Sequence, residues 1–169
     1  MIIEDFKSNK KSGFLVFLFL INYRIGRYLL YRKSNNLFIS IIYVIPFFMS
    51  RIFNFIYNCS IPFSCDLGKG ICFRHGLHGV FISGESKIGD YCYILHHVTI
   101  GSNFGASQLK VRAPVIESNV FVGAGAKIIG GLTVGENSKI GANSLIVKDI
   151  PQNSTCFAPL AKIETIDEK

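Results

Sequence analysis

From Ile116 to Pro151 the chain repeats every six residues. Ile116, Val122, Ile128, Val134, Ile140 and Ile146 each open a hexad, a Gly often follows, and a small or aliphatic residue stands four places on. The frame runs back through Ile100, Ile94, Ile88 and Ile82, and again through Phe73, Leu67 and Ile61. A helix needs apolar spacing near 3.6 and a simple strand near 2, so a sustained six suits neither. It suits a parallel β-helix, in which each hexad is one short side of a three-sided coil. The opener points inward, and the Gly behind it is expected to let the backbone turn the corner without a Cβ clash. The predicted triangles are 61–67–73, 82–88–94, 100–116–122 and 128–134–140, with 146 opening a partial coil. Pro151 is expected to end the repeat, with a short strand or cap after it.

Two places break the period. Phe73 to Ile82 takes nine residues and Ile100 to Ile116 takes sixteen. Insertions leave a solenoid as loops, and loops on rigid scaffolds tend to carry function. The first holds Arg74, His75 and His78. The second, about Ser102–Ala113, holds Lys110 and Arg112 and is predicted to project as an arm. All four histidines lie between residues 75 and 97. His75 and His96 each stand two places after an opener, which predicts one face of successive coils. Rungs about 4.8 Å apart would bring the two imidazoles together. His97 reads as a solvated turn residue.

Ahead of the repeat, residues 1–59 form a basic, apolar segment. The net charge of +7 divides into +6 up to residue 60 and +1 beyond it. Residues 1–12 are polar and are expected to be frayed or weakly helical. Two helices are predicted, Gly13–Arg32 and Leu37–Tyr57, joined at Ser34-Asn35-Asn36, with Pro46 kinking or ending the second. Uninterrupted apolar runs fall short of the ~20 residues of a spanning helix. The segment is expected to lie on an anionic membrane surface or to pack on another subunit rather than to cross a bilayer. No nucleic-acid motif is present, and such binding is not expected. The five cysteines contain no CxxC pair, and with no secretory signal they read as reduced thiols in the cytoplasm. Cys65 and Cys92, four places after an opener, read as core filler.

Five stretches carry a resemblance: Ile61–His75 (IPFSCDLGKGICFRH), Ile88–Gly101 (IGDYCYILHHVTIG), Val122–Gly130 (VGAGAKIIG), Val134–Ser144 (VGENSKIGANS) and Ala158–Ile163 (APLAKI). In these the chain resembles the hexapeptide-repeat acyltransferases, in the serine acetyltransferase-like branch that includes polysaccharide O-acetyltransferases. Tyr23-Arg-Ile-Gly-Arg also looks like the start of the polysaccharide-modifying relatives. The resemblance implies a mainly β fold, a left-handed parallel β-helix over residues 60–163, preceded by N-terminal α-helices and followed by a disordered tail over 164–169. It implies a homotrimer with sites between neighbours and acetyl-CoA as co-substrate. The family's catalytic His falls on His75, a general base for an acceptor hydroxyl, with His78 as the alternative base and His96 beside it. Acetyl-CoA would lie against Gly123, Ala124, Gly125, Gly141 and Ala142, with Lys162 near a phosphate. Backbone N–H groups of the Gly-rich turns would stabilise the oxyanion. Arg74 and Arg112 would face the acceptor, and no metal is implied.

The departures from the family matter for the acceptor. Where its serine-using members carry an Asp before the His, this chain has Arg74; their second Asp falls on Ser60; and Arg-His-Pro becomes Arg112-Ala113-Pro114. An ammonium buried without a carboxylate is costly. The leading expectation is therefore an O-acetyltransferase acting on a sugar hydroxyl of surface polysaccharide (capsule, exopolysaccharide or O-antigen), held near a lipid-linked glycan at the inner face of the cytoplasmic membrane. Serine O-acetyltransferase is the alternative. A zinc-binding trimer is disfavoured by adjacent His96 and His97 and by the closing motif. An inactive scaffold is disfavoured by the retained His75 and glycine turns.

Overall fold

The computed structural model describes residues 1–32, 37–103 and 113–160. Three helices come first: α1 (Ile2–Ser8), α2 (Phe14–Arg32) and α3 (Leu37–Tyr57). Short strands follow: β1 (Asp66–Leu67), β2 (Phe81–Ile82), β3 (Lys87–Ile88), β4 (Tyr93–Ile94), β5 (Thr99–Gly101) and β6 (Val115–Ile116). The series ends with β7 (Phe121–Val122), β8 (Lys127–Ile129), β9 (Thr133–Val134), β10 (Lys139–Ile140), β11 (Leu145–Ile146) and β12 (Thr155–Cys156). They stack in parallel into three sheets, β1-β3-β6-β9, β2-β5-β8-β11 and β4-β7-β10-β12. The result is a three-sided solenoid.

Register follows the hexad openers. Ile82, Ile100, Ile128 and Ile146 align on one sheet. Leu67, Ile88, Ile116 and Val134 align on the second, and Ile94, Val122, Ile140 and Cys156 on the third. The openers from Ile61 to Ile146 are buried, as are Cys65, Val98, Val120 and Ala126 four places after an opener. Each hexad therefore sends two side chains inward, which is why the core is continuous along the axis.

The corners correct one expectation. The backbone turns three places after the opener, where Tyr91, His97, Asn119, Asn137 and Asn143 take φ between 55° and 59°. That is the left-handed region, in which Asn is enriched. The Gly directly after the opener answers a different need. A Cβ on Gly123 would stand 2.6 Å from the Ala142 nitrogen of the next coil, so only glycine allows the approach.

The N-terminus also differs from its sequence reading. Of the two alternatives for residues 1–12 the helical one holds, over Ile2–Ser8, and the stretch is docked rather than frayed. Asp5 is buried and paired with Arg24 (Nε to Oδ2, 2.9 Å), and the Gly70 N–H donates to its Oδ1 at 2.7 Å. The Asn9 side chain donates to the Ile71 carbonyl (2.7 Å) and accepts from the Phe73 N–H (3.0 Å), as a missing strand would. Arg24 also donates to the Leu67 and Gly68 carbonyls, each at 2.5 Å, and Arg27 reaches Cys65 O at 2.5 Å and Asp66 at 2.6 Å. The Tyr23 hydroxyl donates to Cys65 O, and burial pushes its pKa above the usual phenol range. A Cβ on Gly26 would lie 2.4 Å from the Phe63 ring. The Tyr23–Arg27 motif is thus a clamp holding α2 on the first coil.

The second helix boundary falls as predicted, but α3 runs through Pro46 without ending. Packing against α2 holds it: Phe19 meets Phe53 edge-on at 5.6 Å, and the Asn22 amide donates to the Pro46 carbonyl at 3.2 Å. Tertiary contact outweighs the lost backbone bond. The two helices have 19 and 21 residues and are long and apolar enough, by composition, to cross a membrane. The uninterrupted runs had suggested otherwise.

Candidate functional site

One corner of the solenoid collects the chemistry. The His97 N–H donates to the His78 carbonyl (2.8 Å), Gly125 N–H to His96 O (3.0 Å) and Asn143 N–H to Ala124 O (2.8 Å). These bonds put His78, His96, Ala124 and Ala142 on one ladder. Gly79, His97, Gly125 and Asn143 form the adjoining left-handed ladder, with φ of 65°, 57°, 72° and 55°. His96 and Ala142 are two rungs apart, about 10 Å.

The register of the histidines therefore changes from the sequence reading. His78, not His75, occupies the place below His96. His75 comes from the surplus of the nine-residue gap, where Arg74 and Gly76 bridge across a tight turn closed by Gly76 N–H to Phe73 O at 3.1 Å. The expected meeting of imidazoles still occurs, because that turn leans against the ladder: the His75 and His96 rings lie 5.6 Å apart, edge to face. His97 follows at 5.4 Å from His96. Its ring covers Gly79, where a Cβ would come within 2.2 Å of Nδ1. Arg74, His75, His78 and His97 are exposed and His96 half-buried.

His96 Nδ1 is sealed from solvent and has no hydrogen-bond partner. Leaving such an atom unpaired costs about 1–3 kcal/mol. Tyr57 is a further member that sequence reasoning missed. Its ring meets His78 at 4.8 Å, its carbonyl accepts from Gly79 N–H at 3.0 Å, and burial raises its phenol pKa. The last turn of α3 thereby braces the histidine corner.

The expected cofactor residues share that edge. Gly123 is buried, Ala124, Gly125 and Gly141 half-buried, and Ala142 exposed. Gly141, Ala142 and Asn143 with Phe157, Pro159 and Leu160 line a cleft of about 620 Å³ at the end of the ladder. Its small, apolar walls fit a pantetheine-like arm lying against glycine backbone. The oxyanion expectation fails at these turns, because the N–H groups of Gly123, Gly125, Gly130 and Gly141 already bind carbonyls of neighbouring coils at 2.8–3.0 Å. Ser60 pairs with Phe81 at the foot of the β2 sheet. Arg112, Lys110 and Lys162 lie outside the described residues, as does the expected arm over 104–112.

The buried Cys59, Cys65 and Cys92 offer no nucleophile here. Burial pushes the thiol pKa of Cys65 up to about 12 and those of Cys59 and Cys92 up to about 11. Among the described residues, no three His, Cys, Asp or Glu side chains are grouped to hold a metal ion.

A three-sided parallel coil with histidines and a small-residue cleft along one edge is the form of a hexapeptide-repeat transferase, and the left-handed β-helix fits it. Residues 113–148 match the model for bacterial transferase hexapeptide (six repeats). A serine acetyltransferase of Helicobacter pylori is 37% identical over 140 residues, covering 82% of this chain and 80% of that protein. A serine acetyltransferase of Synechococcus elongatus is 39% identical over 112 residues, 66% of this chain but only 45% of that protein. Among solved structures, a Brucella abortus serine acetyltransferase in complex with coenzyme A matches with a TM-score of 0.69 at 28% identity, over 82% of this chain and 51% of that one. The chain belongs to the hexapeptide-repeat transferase family, and the relatives it matches are serine acetyltransferases.

These relatives overturn the polysaccharide reading. The proteins that match at 37–39% identity are serine acetyltransferases, so the sugar hydroxyl and the lipid-linked glycan are not the acceptors they support. That reading rested on Arg74, Ser60 and Ala113 standing where serine-using members carry Asp, Asp and His; the lesser signal, Tyr23–Arg27, is the clamp between helix and coil.

Proposed function

We propose that the chain is an acetyl-CoA-dependent serine O-acetyltransferase that works as a homotrimer, with its site at the histidine edge between neighbouring copies. The observation that carries this reading is the ladder itself: His96, Ala124 and Ala142 in register, with the His75 ring resting on His96. The names of the relatives support the acceptor, and the coenzyme A held by the Brucella protein supports the donor.

Acetyl-CoA supplies an acyl group already activated as a thioester. The chain's own residues must then handle the proton. A serine hydroxyl is barely ionised near neutral pH, so His75 accepts its proton as the oxygen bonds to the thioester carbonyl carbon; the C–S bond then breaks, and the proton on His75 goes to the departing CoA thiolate. His96 restricts the His75 ring by edge-to-face contact. Gly123 and Gly141 leave room for the cofactor arm, and the cleft by Phe157 offers it an apolar wall. Five free cysteines support a reducing compartment such as the cytoplasm.

The test is thiol release from acetyl-CoA with L-serine, read beside the mass of the protein in solution. Serine-dependent release by a trimer is expected. Release no faster with serine than without it, or an active monomer, would overturn the reading.

A further inference from the structure

We propose that α3 docks on an anionic lipid bilayer, lying in its surface rather than crossing it. At 3.6 residues per turn, the exposed apolar side chains of this helix run from Phe47 through Phe48, Ile52 and Ile45 to Ile42, an arc of about 220°. Exposure reaches 89% at Phe55, 68% at Ile45 and 62% at Phe48, far from a core helix. A rigid protein partner covers one face of a helix. A fluid apolar phase covers an arc of this width.

Charge selects the same occupant. Asp5 is buried against Arg24, and Glu4 is held by the N-terminal ammonium at 2.9 Å. Among the described residues of the segment, the exposed charges left are Lys7, Lys10, Lys11, Arg32 and Arg51. A second copy would bring like charge to like charge, whereas anionic headgroups complement it. Arg51 is the one charge inside the arc, and its guanidinium lies over the Phe47 ring at 5.1 Å. Tyr28 and Tyr31, both exposed, carry Arg32 and Arg27 over their rings at 4.8 and 4.9 Å. Aromatic bodies with cationic tips suit the headgroup layer.

The clamp forbids crossing. The opposite flank of α3 is filled by α2, which Tyr23, Arg24 and Arg27 bind to the first coil, and Tyr57 leads straight to Ser60 in that coil. The helix therefore lies flat, with the histidine corner one turn from its end.

Full-length protein is sedimented with phosphatidylcholine vesicles, with and without phosphatidylglycerol, and its mass is measured without lipid. Binding to the anionic vesicles is expected, weakening severalfold as salt rises from about 0.1 M to about 1 M. The variant I45E/F48E/F55E is expected to lose about tenfold or more of it while melting like the parent. Absence of the parent from the anionic pellet overturns the proposal, as does undiminished binding by the folded variant. A doubled trimer that the variant dissolves also overturns it, and hands the face to a second copy. The salt and lipid arms decide the matter if the variant fails to fold.

Discussion

The clamp and the histidine corner are equally rich in ionisable side chains, and they are finished differently. In the clamp, Asp5 accepts from Arg24 and Gly70, and Arg24 also donates to two carbonyls. Four of the five guanidinium N–H groups are thereby engaged within the fold. At the corner, His75, His78 and His97 face solvent and His96 Nδ1 is sealed without a partner. Burial of charge alone would have pointed to the clamp as the functional centre. Open hydrogen-bonding capacity points to the corner, and it is the better guide.

The comparison is broken most directly at His75. His75→Ala is expected to lower kcat by about 10²–10⁴-fold with an unchanged melting curve; full activity in steady-state assays would move the base to His78. Next comes Arg24→Ala, which strands Asp5 and should cost about 3–5 kcal/mol in urea unfolding, while the folded fraction keeps its KM. A smaller effect is expected from Arg74→Asp. A carboxylate there would meet the serine ammonium, so the KM for serine should fall about tenfold or less, the cofactor KM staying as it was; an unchanged value would remove residue 74 from acceptor binding.

The mildest effect concerns the thiols. Burial pushes the Cys65 thiol up from an ordinary 9.0 to about 12, and those of Cys59 and Cys92 up to about 11. Stability from these groups is whole below pH 9 and is lost as pH rises through 11 to 12, because ionisation favours the unfolded chain. Alkylation at pH 8 should therefore reach the half-buried Cys156 first, with the other thiols labelled only on unfolding.

How much of this was legible depends on the range of the forces involved. The triangles were readable because each opener must be apolar every six residues, and the register of Ile82, Ile100 and Ile128 follows from that count. The pairing of His75 with His96 was misregistered because counting from Phe73 treats the surplus residues as lying after the histidine. The φ of 65° at Gly79, matching His97 and Gly125, shows that they lie around it; the spacing of His78-Gly79 to Phe81 against His96-His97 to Thr99 was the available signal. The docking of Asp5 and Asn9 was invisible, since a polar residue written at a terminus reads as solvated until its distant carbonyl partners are placed. Pro46 inside α3 belongs to the same class, a local rule overridden by a contact across the hairpin.

The turn at Arg74–Gly76 has one more consequence. It bulges from a seam whose rungs above and below keep their phase, since Ser60, Phe81 and Thr99 pair without a slip. Catalytic equipment housed in such a blister is separable from the scaffold. Excising those three residues would splice Phe73 to Leu77 in an unbroken six-residue beat, leaving a sound tower with its workbench removed.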